Sequence, residues 1–72
     1  MECVINFSWD NEAHVWIAMS DDVPGLVLES GSYDVLVERV RFAAPELLEL
    51  NKNYTGPATL LFTTERFERA AI

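Results

Sequence analysis

The sequence predicts an α+β domain of two layers: a β-β-β-α-β chain whose four-stranded mixed sheet carries one kinked helix on one face. Three observations lead there. Residues Cys3 to Trp9 alternate with period two, residues Tyr33 to Leu50 repeat at threes and fours, and the chain is only 72 residues long. That length leaves room for a single domain, 1–72, which buries about 60% of its unfolded surface on folding. Half of the residues are hydrophobic and 24% are charged, a balance too apolar for a disordered segment.

The first strand, Cys3 to Trp9, sets Cys3, Ile5, Phe7 and Trp9 on one side and Val4, Asn6 and Ser8 on the other. Asp10 to Ala13 is turn-rich, and a second strand, His14 to Ser20, completes a hairpin. The expected register pairs Trp9 with His14, Phe7 with Trp16 and Ile5 with Ala18. Val15, Ile17 and Met19 then share the other face with Val4, so both faces of the second strand are apolar. An apolar face with no helix to cover it points to an oligomer or a complex.

Pro24 and Gly25 interrupt the pattern after Asp21 and Asp22. A short third strand is expected over Leu26 to Glu29. Ser32 is a good helix N-cap, and Asp34 suits the positive end of the helix dipole. Tyr33, Leu36, Val40, Ala43, Leu47 and Leu50 form the apolar stripe of a helix, widened by Val37, Ala44 and Leu48. Pro45 lies inside it and is expected to kink the helix or split it in two. Asn51 is the expected C-cap. The loop Asn51 to Pro57 leads to a last strand, Ala58 to Phe67, rich in threonine and large apolar residues. A right-handed crossover sets this strand parallel to the first. The tail Phe67 to Ile72 fits a helix, a strand or a segment ordered by a partner.

Charge and chemistry narrow the function. Twelve acidic residues oppose five basic ones, for a net charge of −7. Phosphate backbones call for clustered Lys and Arg, so direct nucleic-acid binding is not expected. A basic protein partner fits better than nucleic acid, although the charge alone favours a plain role in solubility over either. The single cysteine, Cys3, excludes an internal disulfide and reads as a small core residue. His14 has no converging acid, nucleophile or second ligand, and reads as a turn residue. Asp21 and Asp22 are neighbours that point to opposite sides, and Asp10 and Glu12 lie in a turn, so none forms a metal-holding group. Neither a cofactor nor a metal nor catalytic residues are expected. The N-terminal residues do not read as a signal peptide, and no apolar run approaches the roughly 20 residues that cross a bilayer. The expected address is the cytoplasm.

The stretch WDNEAHVWIAMSDDVPGLVLES, followed by APELLELN at the helix end, resembles the small HicB-like domains of bacteria. Trp9-Asp10, Val15-Trp16, the loop Asp21 to Leu26 and Pro45 to Leu48 occur in the order and spacing of one branch of that family. The resemblance covers about residues 3 to 51. It implies a partial ribonuclease-H-like fold. It also implies the antitoxin role of a type II toxin–antitoxin pair, in which the HicB-like protein occludes a small basic mRNA-cleaving toxin of the HicA type. Relatives form homodimers or larger homo-oligomers, and many carry a second, DNA-binding domain. No such domain is expected within these 72 residues.

The resulting expectation is a binding protein. Its partner contacts are expected at Asp21, Asp22 and Glu29, with Trp16 and Pro24 nearby. The alternative is a homo-oligomeric regulatory or scaffold module with no toxin. A residual nuclease is the third reading, and it would need magnesium-dependent cleavage that is lost on mutating Asp10 or Asp21.

Overall fold

The structure, a computed structural model, describes residues 1–71. It has the expected order: β1 (Glu2–Asp10), β2 (Val15–Met19), β3 (Val27–Ser30), α1 (Tyr33–Lys52) and β4 (Thr59–Glu65). The strands form one sheet in the order β3-β2-β1-β4. The β1–β2 and β2–β3 pairs are antiparallel, and β1–β4 is parallel, so the sheet is mixed.

Alternation along the strands sorts the two faces. Cys3, Ile5, Phe7 and Ala18 point toward α1 and are fully buried with Leu36, Val40, Ala44 and Leu48 of the helix. Val23 and Leu26, from the β2–β3 loop, close the end of this core. Phe7 meets Tyr33 and Phe62 edge-on, with ring centroids 5.1 and 5.2 Å away, the offset geometry that aromatic quadrupoles favour. The same packing continues through Tyr33 to Trp16 and on to Trp9, at 5.2 and 5.4 Å.

The hairpin register differs from the expectation by two residues. Trp9 pairs with Trp16 and Phe7 with Ala18. The cause lies in the turn. The Asp10 carboxylate accepts from the backbone N–H groups of Glu12 and Ala13, at 3.0 and 3.1 Å, and His14 takes a left-handed φ of 55°. His14 therefore belongs to the turn, and β2 starts one residue later. Because the slip is an even number, every side chain keeps its expected face.

Of the two outcomes expected at Pro45, the split does not occur: α1 is one element of 20 residues running through the proline. Pro45 withholds a single N–H, while the buried residues on both sides of it rest on one sheet. Ser32 caps the start, its hydroxyl accepting from Val35 N–H at 3.3 Å. The end is capped by Asn53, in the left-handed region at φ 52°, and not by Asn51. There the Tyr54 N–H reaches back to the Leu48 carbonyl at 3.1 Å. The Asn51 amide instead donates to the Pro24 carbonyl at 2.8 Å and ties the helix end to the β2–β3 loop. Gly25, at φ 87°, lets the loop pass this close. Leu50 belongs to the outer face, 79% exposed, because the buried stripe advances in steps of four from Leu36 to Leu48. Residues 66–71 follow β4 without helix or strand, and the last residue of that tail, Ile72, lies outside the described residues.

Candidate partner-binding surface

The side of the sheet opposite α1 has no cover among the described residues. Strand alternation places Val4, Val15, Ile17, Met19, Val27 and Leu61 on it. Met19, Val27 and Leu61 are each at least half exposed. Glu2, Asp10, Glu29 and Glu65 lie on the same side, near its margins. Register puts Glu29, Ile17, Ser8 and Glu65 in one row across the four strands, so acids stand at both edges with one aliphatic and one hydroxyl side chain between them. No strand contains a basic residue: Arg39, Arg41 and Lys52 are on the helix, and Arg66 and Arg69 follow β4. The face is therefore aliphatic chiefly along β2 and β3, polar across β1 and β4, where the Thr63 hydroxyl donates to the Asn6 amide oxygen at 2.6 Å, and charged with one sign at its margins.

The five expected contact residues are not brought together on this face. Glu29 is exposed on it, at the outer strand. Asp21 is exposed in the adjoining loop. Asp22 turns inward, and its carboxylate accepts the Val4 N–H at 2.7 Å. That amide faces the place where β2 has already ended, so the side chain continues the ladder in place of backbone. Ser20 works beside it. Its hydroxyl donates to the Val4 carbonyl at 2.6 Å and accepts from the N–H groups of Asp22 and Val23 at 3.1 and 3.3 Å. Trp16 points the other way, into the aromatic row beneath α1. Pro24 serves through its carbonyl, bound by Asn51.

Sequence reasoning missed Glu2 and Glu65 as members of the rim. Strand parity was the available signal, and it needed the register of β4 to be read. It also missed Arg66, whose guanidinium carbon lies 4.4 Å from the Trp9 ring centroid and covers the open end of the aromatic row. Cys3 is fully buried in the core, as expected for a packed thiol. No group of three or more His, Cys, Asp or Glu residues that could hold a metal occurs among the described residues. No described helix is long and apolar enough to cross a membrane.

A groove of about 240 Å³ lies between α1 and β4, lined by Pro45, Leu48, Glu49, Tyr54, Ala58 and Leu60 among others. The helix backbone runs closest to β2 and β3, and on the β4 side Leu60 and Phe62 stay only half-buried.

Residues 2–72 match the family described as "Domain of unknown function (DUF1902)". The chain belongs to the DUF1902 family. Among solved structures, this DUF1902 chain is similar to the hypothetical protein TTHA1013 from the extremely thermophilic bacterium Thermus thermophilus. The two share 34% identity over 100% of each chain, with a TM-score of 0.76. No curated protein matches it. The similarity supports the fold at full length and assigns no activity.

Proposed function

We propose that this DUF1902 protein works by binding and not by catalysis, as a cytoplasmic antitoxin-like partner of a small basic toxin of the HicA type. The observation that carries this reading is the open sheet face, with exposed aliphatic side chains on β2, β3 and β4, acids at its margins and no basic residue on any strand. Such a surface buries aliphatic area against a partner while its field draws in a basic protein and repels acidic ones. The HicB-like motif names the partner class. Asp21 and Glu29, both exposed, are the contact acids. Asp22, Trp16 and Pro24 hold the surface in shape from behind. No cofactor or metal takes part.

Co-purification from the native host tests the reading. The tagged protein is expected to retain a small basic protein that arrests growth when expressed alone and cleaves mRNA. Asp21→Lys combined with Glu29→Lys is expected to weaken that complex at least tenfold, while the far-ultraviolet circular dichroism stays unchanged. Wild-type affinity in the double variant, or recovery of the tagged chain without such a partner, overturns it.

A further inference from the structure

The two edges of the sheet are treated differently. The β3 edge is four residues long. Val4 N–H and C=O both bond toward the β2 side, through Asp22 and Ser20, so the even-numbered residues of β1 face β2. Alternation then makes Leu28 and Ser30 pair with β2 and turns the backbone of Val27 and Glu29 outward. That edge is already occupied, because the Arg39 guanidinium donates to the Glu29 carbonyl at 2.9 Å. A short strand covered by a long cationic side chain is a protected edge.

The β4 edge has none of this. It is seven residues long, TLLFTTE, with no proline and a single charge, at its end. Thr59 N–H bonds the Met1 carbonyl at 2.8 Å, which fixes the odd-numbered residues of β4 toward β1. The N–H and C=O groups of Leu60, Phe62 and Thr64 therefore face outward. The inner side of this strand is only partly covered: Leu60 and Phe62 are half-buried against the core, Tyr33 of α1 bonds Thr64, and Leu60 borders the open groove.

The geometry points to a second copy of this chain as the occupant: two β4 edges pair antiparallel about a two-fold axis and make one continuous eight-stranded sheet. The edge is self-complementary. With Phe62 opposite Phe62 of the second copy, Leu60 falls opposite Thr64, and these outward-facing residues are the ones whose backbone groups have no partner among the described residues. Every inner side chain meets an inner one, as pairing of opposite residues demands. The one charged residue, Glu65, falls opposite the uncharged Thr59 of the other chain, so the net charge of −7 places no like charges in contact. The acid-rimmed face stays free in the dimer.

Sedimentation equilibrium with residue-resolved amide hydrogen exchange tests the assignment on the unaltered chain. The expected mass is twice 8.2 kDa. The amides of Leu60, Phe62 and Thr64 are expected to slow at least about tenfold as dilute monomer becomes dimer, while those of Val27 and Glu29 do not change. A second measurement does not depend on exchange. In a Cys3→Ala background, Leu61→Cys with Thr63→Cys places thiols opposite each other across the axis, at a non-hydrogen-bonded pair about 4.5 Å apart at Cα. This variant is expected to oxidise to a covalent dimer, and Val27→Cys with Glu29→Cys is not. A chain that remains monomeric through the concentration series, or a dimer whose β4 amides exchange as fast as in the monomer, overturns the assignment.

Discussion

Adjacent acids do opposite work at the end of β2. Asp22 is turned into the fold and holds the Val4 amide, while Asp21 is exposed beside it. Ser20, two residues before, serves three backbone groups with one hydroxyl. Removing it leaves those groups competing for water in a half-buried site, at a cost on the order of 2 kcal/mol. Ser20→Ala is therefore expected to lower the unfolding free energy by about that amount in urea titrations. For a domain of this size, that corresponds to a melting temperature lower by roughly 10 °C. Asp22→Ala is expected to cost about 1–3 kcal/mol, the value of a charge-assisted hydrogen bond, and Asp22→Asn less, because the amide oxygen still accepts. Asp21→Ala is expected to stay within about 0.5 kcal/mol of the parent. Equal losses from Asp21→Ala and Asp22→Ala would contradict the separate roles assigned here.

The elements themselves follow from period and punctuation, and the exception is instructive. Pro45 sits in the middle of a 20-residue helix without ending it. Its ring excludes the N–H that would bond the Arg41 carbonyl, and the helix tolerates the loss because four fully buried residues anchor it on both sides. Pro45→Ala restores that bond but also gives the unfolded chain more freedom, which returns about 0.4–1 kcal/mol. Thermal unfolding of Pro45→Ala is thus expected to show a net gain of about 1–2 kcal/mol, and a loss would mean that the ring packs usefully in the groove beside it. The same competition explains what the sequence made legible. Strand faces, the Ser32 cap and the β-β-β-α-β order rest on local periodicity and capping chemistry, and they hold. The hairpin register and the end of α1 depend on bonds of particular groups: the Asp10 carboxylate to the amides of Glu12 and Ala13, the Tyr54 N–H to the Leu48 carbonyl past the left-handed Asn53, and the Asn51 amide to the Pro24 carbonyl. Composition does not reveal those bonds. Of the expected contact residues, Asp21 and Glu29 are where a partner could reach them. Trp16 and Asp22 were drawn into the fold by contacts with Tyr33 and Val4, which only the packed structure supplies.

At the scale of the whole molecule the acids are not balanced by ion pairs. Two pairs, Arg41–Glu38 at 3.2 Å and Arg66–Glu68 at 2.8 Å, occur among the described residues, and both are largely exposed. Exposed pairs contribute little, about 0–1 kcal/mol each. Against them stands a net charge of −7 on a chain whose strands hold acids and no bases. Folding brings together acids that are distant in sequence, as where Asp10 stands diagonal to Glu65 across the β1–β4 pair, such neighbours being about 7–8 Å apart. Those separations are comparable to or shorter than the Debye length of about 10 Å at 0.1 M salt, and salt screens them progressively. Folding concentrates this charge, so screening favours the folded state. Raising sodium chloride from about 0.02 to 0.3 M at fixed protein concentration is expected to raise the melting temperature by a few degrees, the equivalent of roughly 0.5–1 kcal/mol. The same screening is expected to weaken a complex with a basic partner, because there the long-range field is attractive. Opposite signs for the two salt dependences, read by differential scanning calorimetry and by binding titration, separate a surface shaped for a basic partner from a charge that serves only to keep chains apart.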